Sequence, residues 1–247
     1  PHLNNRSIYW PRGKVLGGSS SINAMVYVRG HKQDYDEWNA VAPGWGWADV
    51  EPMFRRMENW LGQPREERGR AGPLGITDVT DQVHPVTRAY IKAASEAGIP
   101  FNPDYNSGDM EGACFFQITT KNGIRSSTAN TYLKTVAQRS NLCILTGAFV
   151  TSVLFDGKTA TGVSYVRGGK TLIAEAKREV ILCGGAINTP KLLQLSGIGA
   201  APLLNEMGIP VVIDQPHVGQ NLIDHVGLEL IYGANVPTLN QLLRPLW

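Results

Sequence analysis

The run Val180-Ile181-Leu182-Cys183-Gly184-Gly185 constrains the fold of this chain more than any other stretch. An extended segment apolar at every position, with no polar alternate, predicts a strand in a sheet covered on both faces, the mark of an α/β arrangement. It ends abruptly in Gly-Gly, and the residues from Ala186 onward read as a helix. Asn188 or Thr189 is placed to cap that helix, with Pro190 in its first turn, where a missing N–H costs nothing. At such a corner the free helix N–H groups and the helix dipole face the crevice beyond the strand end, where α/β sheets bind ligands. A plain strand–turn–helix corner fits the same residues equally well.

A second unusual stretch, GKVLGGSSSINAM (Gly13 to Met25), gathers two adjacent glycines, three serines and an asparagine ahead of an apolar segment. Small residues lose much backbone entropy and fill no core. Either something must approach the backbone closely there, or a loop leads into a capped helix over residues 19–28. The residues alone favour the loop.

Around these landmarks the chain reads as mixed. Asp34 to Trp38 and Trp47 to Trp60 are amphipathic and helical, with Asp49 near the start of the second. Residues 61–75 are charged and rich in Gly and Pro, an exposed loop or domain crossing. Pro85 to Ala97 places Val86, Tyr90, Ile91, Ala94 and Ala97 on one helical face. Ile99 to Gly112 is irregular, Ser127 to Arg139 helical, and Leu239 to Leu243 helical. From Leu142 the period shortens: Leu142 to Leu145, Phe149 to Phe155, Gly162 to Val166 and Thr171 to Ala176 read as strands. Asp156-Gly157 and Arg167-Gly168-Gly169 turn between them, so 149–176 is an antiparallel meander. Gly157-Lys158-Thr159 and Gly169-Lys170-Thr171 imitate the end of a P-loop but lack its first glycine and sit in hairpin turns. Gly197-Ile198-Gly199 fails as GxGxxG because Pro202 stands at the sixth position.

With 23 Lys and Arg against 21 Asp and Glu, interspersed, neither a nucleic-acid footprint nor a polybasic membrane patch is present. No apolar run approaches the ~20 residues that span a bilayer as a helix. Cys114, Cys143 and Cys183 lack zinc-type spacing, so no metal site is expected. Cys143 and Cys183 read as small core hydrophobes, and the expectation is a reducing, cytoplasmic compartment.

Gly13 to Asp36 and Gly185 to Gly199 resemble the two signature stretches of the glucose–methanol–choline (GMC) oxidoreductases, a family of FAD-dependent enzymes. Val218 to His225 (VGQNLIDH) is similar to a third stretch of that family and Ile124 to Leu133 (IRSSTANTYL) to a fourth, in the family's order. Gly30 to Trp38 looks most like the bacterial branch acting on choline or aromatic alcohols. The resemblance implies an α/β (overall α+β) fold: an incomplete FAD-binding Rossmann-like domain with an antiparallel meander, plus part of a substrate-binding domain. Residues 1–70 and 137–224 would belong to the former, 71–136 to the latter, and 225–247 would cross back into it.

By the same resemblance, Gly17, Gly18, Ser19 and Ser20 pack their backbone against FAD, and Asn23, Ala24, Met25 and Val26 run along the flavin ring. Val15 and Val150 match backbone contacts to the cofactor, Val150 near the adenine. Gly184, Gly185 and Ala186 form part of the wall, and Asn221 and Asp224 lie near the flavin, although Asp224 and His225 fit a cap and a surface residue equally well. Ile22 stands where some members attach flavin through histidine, so FAD is expected to be noncovalent. The implied reaction passes hydride from a small-molecule alcohol to flavin N5, with a separate electron acceptor. No catalytic residue is expected among His2, His31, His84, His217 and His225, since the family's histidine lies near its far carboxyl end. An upstream GxGxxG is likewise expected, and the chain reads as the middle half of a longer enzyme. The rival expectations are GMC-like hydroxynitrile lyase or fatty-acid photodecarboxylase chemistry, and a non-catalytic chain.

Overall fold

The computed structural model describes residues 2–225, 227 and 230–243, so the end of the segment 225–247 lies outside the described residues. The chain divides into two compact units, one of residues 1–142 and 233–247, the other of residues 143–232.

In the first unit, helix α1 (Lys32–Val41) starts at His31, whose Nδ1 accepts from the Gln33 N–H at 3.2 Å. Helix α2 (Trp47–Met57) starts where the Asp49 carboxylate accepts from the Gly46 N–H at 3.2 Å. The two helices meet around Tyr35, whose ring lies 5.6, 5.7 and 5.9 Å from those of Trp38, Trp47 and Phe54. Strands β1 (Glu58–Trp60) and β2 (Leu74–Ile76) pair in parallel. Helix α3 (Pro85–Glu96) carries Pro85 in its first turn and is capped by His84 Nδ1, which accepts from the Val86 N–H. Strands β3 (Thr120–Lys121) and β4 (Ile124–Arg125) form a short hairpin. A π-helical turn (Ala129–Leu133) and α4 (Lys134–Val136) follow.

The core of this unit is small and partly ionic. Tyr27, Trp60 and Ile76 are buried, with Leu74 packed against them. Beside them lies a buried charge network. Arg68 donates to Glu58 from Nε and Nη2 at 3.0 and 3.2 Å, and from Nη1 to Asp104 at 2.8 Å and to Gln117 at 2.9 Å. Arg29 donates to the same Glu58. The Arg68 guanidinium also lies 4.1 Å from the centre of the Trp60 ring. Charges removed from water persist only when paired and hydrogen-bonded, as most of these are.

In the second unit, β5 (Phe149–Asp156), β6 (Thr159–Arg167) and β7 (Lys170–Glu175) form an antiparallel meander in sequence order. Helix α5 (Gly185–Leu195) is tied to it where Ser196 Oγ accepts from the Val153 N–H at 2.8 Å. Strand β8 (Ile198–Gly199), helix α6 (Ala201–Glu206) and strand β9 (Ile213–Asp214) close a small βαβ unit around the buried Leu204. Helix α7 (Leu239–Leu243), in the first unit, is the last described element.

The mixed α/β class, the meander and the helices over 34–38, 85–97 and 239–243 agree with the sequence reading. Several local expectations are corrected. Val180 to Cys183 is not a paired strand; Ile181 is 72% exposed. A parallel strand needs hydrogen-bonded neighbours, and none among the described residues supplies them. Cys183 and Cys143 are therefore exposed rather than core, and Leu142 to Leu145 forms no ladder. Helix α5 begins at Gly185, so neither Asn188 nor Thr189 caps it and Pro190 lies inside, leaving the Ala186 carbonyl without its helical donor. The helix expected over 19–28 is only a 3₁₀ turn, Gly18–Ser21, and the next residues leave the helical path. Residues 61–75 are mostly exposed, but Arg68 is buried within them because Glu58 and Asp104 draw it inward.

Candidate functional site

In the first unit the loop Val15–Val26 is shaped by backbone conformation and hydrogen bonds rather than by a core of its own. Gly17 and Gly18 take left-handed φ values of +89° and +54°. A Cβ on Gly17 would come within 3.1 Å of Ala129, so that glycine serves packing inside the protein. A Cβ on Gly18 would meet nothing within 4 Å: it faces open space. Ser20 Oγ donates to the Gly17 carbonyl at 2.5 Å, and Ser19 Oγ accepts from the Gly13 N–H at 3.2 Å. Met25 holds φ +64°, a left-handed conformation uncommon for a non-glycine residue, with its N–H donating to Asn23 Oδ1 at 3.1 Å. Val15, Ser19, Asn23, Ala24 and Val26 are exposed, and Gly17, Gly18, Ser20 and Met25 are half-buried.

Past Met25 the chain is locked. The Tyr27 carbonyl accepts from the Tyr105 hydroxyl at 2.8 Å and from Asn106 Nδ2 at 3.1 Å, and the Arg29 N–H donates to Asn106 Oδ1 at 2.8 Å. Burial pushes the Tyr27 phenol far above its ordinary pKa, with the neighbouring Glu58 carboxylate adding to the shift and Arg29 opposing it. The residues of this network (29, 58, 68, 104, 106, 117) are scattered along the chain, and no local pattern pointed to them.

In the second unit a cavity of about 600 Å³ brings Val150 together with Gly184; Phe149, Leu182, Asn188 and Lys191 also line it. A neighbouring cavity of about 530 Å³ brings Ala186 together with Asn221. Gly185, with φ +84°, has open space where a Cβ would project. No side chain caps the amino end of α5, so its first-turn N–H groups remain free for an acceptor. Gln194 Nε2 donates to the Val218 carbonyl at 3.1 Å and fixes the segment carrying Asn221, itself at φ +56°. Asp224 is exposed and accepts from the His225 N–H at 2.9 Å, a local turn contact.

Two of the histidines serve as helix caps. His31 and His84 are helix caps, their Nδ1 atoms occupied by backbone N–H groups. His217 lines the Ala186–Asn221 cavity. Among the described residues no cluster of His, Cys, Asp or Glu is arranged to hold a metal, and no helix is long and apolar enough to cross a membrane.

Comparison with known proteins gives a consistent picture. The family profile described as GMC oxidoreductase matches residues 1–227. An alcohol dehydrogenase [acceptor] of Pseudomonas putida is 46% identical over 243 residues, covering 96% of this chain and 44% of the relative. An oxygen-dependent choline dehydrogenase of Photobacterium profundum is 45% identical over 244 residues, covering 98% of this chain and 43% of the relative. Among solved structures, an FAD-dependent oxidoreductase from Chaetomium thermophilum superimposes with a TM-score of 0.80 at 38% identity, over 87% of this chain and 40% of that one. The chain thus spans less than half the length of these relatives.

Proposed function

From the premise that this chain belongs to the GMC oxidoreductase family, we propose that it forms part of a noncovalent FAD site in an enzyme that oxidises small alcohols. What most supports the cofactor assignment is the cavity that joins Val150 to Gly184 at the uncapped amino end of α5. Its apolar lining suits a heteroaromatic ring, and the free N–H groups with Lys191 suit a phosphate. The open space over Gly18 and Gly185 fits a ligand lying against backbone. In this reading residues 1–70 and 137–224 contribute the cofactor-binding part and 71–136 part of the substrate-binding region, with 225–247 crossing back to it.

When bound, FAD would supply hydride-accepting chemistry towards an alcohol, with a separate electron acceptor for its reoxidation. The chain's own work is placement. Loop Gly17–Val26 presents backbone and small side chains, and the network around Arg68 fixes the segment Tyr27–Arg29 that follows. The resemblance of Gly30 to Trp38, and the two dehydrogenase relatives, favour choline-like or aromatic alcohols.

The test is the flavin content of the purified full-length enzyme and its reduction of a dye with benzyl alcohol or choline. Stoichiometric FAD, released into the supernatant on acid precipitation because Ile22 offers no nucleophile, and alcohol-dependent dye reduction are expected. Flavin remaining with the precipitated protein would overturn noncovalent binding. A flavin-free enzyme would overturn the site assignment.

A further inference from the structure

Two segments separated by about a hundred residues are tied together beside the Gly17–Val26 loop. Arg125 lies on β4, and its Nη1 donates to the Asn23 carbonyl and to Asn23 Oδ1, both at 2.8 Å, and to the Ser20 carbonyl at 3.3 Å. Three residues on, the Thr128 N–H donates to Ser20 Oγ at 3.0 Å, and Thr128 Oγ1 donates to the Gly17 carbonyl at 3.2 Å. Asn23 Oδ1, held by Arg125, is the acceptor for the N–H of Met25 in its left-handed conformation. The 3₁₀ turn Gly18–Ser21 has no buried residue. Its course therefore depends on these hydrogen bonds and on the seat of Gly17 against Ala129.

We propose that Arg125 is a positioning residue, which with Thr128 sets the backbone course of Gly17–Met25 so that the loop fits the flavin. The inference rests on the FAD reading above. The Arg125 hydrogen bonds run to the loop at Ser20 and Asn23, and the buried Tyr27–Trp60–Ile76 cluster is built from other residues. Its loss should therefore loosen the loop while leaving the global fold in place. A lysine in its place keeps the charge, but its ammonium stops short of the Nη1 position, so charge and hydrogen bonding can be separated.

The experiment measures FAD affinity of apo-reconstituted full-length enzyme, bound-flavin circular dichroism and melting temperature for wild type, Arg125→Met, Arg125→Lys and Arg125→Ala. Losing charge-assisted hydrogen bonds predicts roughly tenfold or greater weakening of FAD binding in all three variants. A changed flavin dichroism and a nearly unchanged melting temperature are expected alongside it. Millimolar guanidinium should restore binding to Arg125→Ala, and ammonium should not. If Arg125→Met binds FAD as wild type does, the proposal fails while the FAD reading stands. Wild-type affinity in Arg125→Lys would show that charge alone suffices, and would also overturn it. A collapse of the melting temperature in Arg125→Met would make the role structural. A wild-type enzyme without flavin would overturn both readings together.

Discussion

Gly18 and Tyr27 show how little of a residue's role is visible from its type. Gly17 and Gly18 are adjacent and both left-handed, yet only Gly17 is confined by protein atoms. At Gly18 an alanine meets left-handed backbone strain of order 1–2 kcal/mol, and a β-branched valine somewhat more. Gly18→Ala is thus the reference, and Gly18→Val adds bulk into the open space. In the full-length enzyme, melting temperatures of the two variants should agree to within the equivalent of about 1 kcal/mol. The flavin-to-protein absorbance ratio of Gly18→Val should fall well below that of Gly18→Ala. Equal ratios would mean that the space over Gly18 is not occupied by the cofactor. Tyr27 offers the opposite case, a buried phenol whose hydroxyl makes no hydrogen bond of good geometry. Tyr27→Phe removes an unsatisfied polar group and should change stability by no more than about 1 kcal/mol in either direction. Because the fold holds the Tyr27 proton more tightly than the unfolded chain does, this residue favours the native state fully below pH of about 10. That contribution is lost as pH rises further, and Tyr27→Phe should flatten the alkaline limb of a urea-midpoint titration.

At the scale of elements, the antiparallel meander was legible because its determinants are local. Short runs of apolar and β-branched residues over 149–176 and glycines at both turns leave one arrangement, and β5, β6 and β7 pair in that order. Helices α1 and α3 were legible for the same reason, although histidine at the cap position carries no sequence pattern that marks it. Val180 to Cys183 was misread because a parallel strand is defined by neighbours that lie elsewhere. The same limit hid the network joining β1 to the loop at 102–106, whose members pair across separations of 10 to 77 residues. In the site, the family resemblance singled out Val150 and Gly184. It also picked out the stretch holding Arg125 and Thr128 without revealing what they grip. The network supplies a prediction of its own. Arg68→Met leaves Glu58 and Asp104 buried with one fewer cation, and losing one partner of a buried pair costs roughly 3–5 kcal/mol. Urea denaturation of the full-length enzyme checks it. A loss under about 1 kcal/mol would mean that water or Arg65, whose Nε lies 3.4 Å from Asp104, takes over the charge.

Over the whole molecule, the balance of buried and exposed surface decides what the chain can do alone. A folded monomer of 26.9 kDa is expected to expose roughly 10,800 Å² by the usual scaling with mass. This chain exposes 18491 Å². Large apolar side chains lie open: Ile181, Phe149 and Ile173 are 72%, 68% and 63% exposed, and Val150 and Ile187 in the proposed cofactor region are also exposed. Unpaired apolar segments such as Val180 to Cys183 invite pairing with other chains. Residues 1–247 expressed on their own should therefore bind hydrophobic dyes, self-associate at micromolar concentration and come out colourless. They should also be inactive towards alcohols, the Nδ1 atoms of His31 and His84 being taken up by helix caps. Size-exclusion chromatography, the absorbance spectrum and a dye-reduction assay with benzyl alcohol or choline test all of this on one preparation. A monodisperse yellow protein with one FAD per chain and alcohol-dependent turnover would mean that residues 1–247 complete the site by themselves, with the base among His2, His31, His84, His217 and His225.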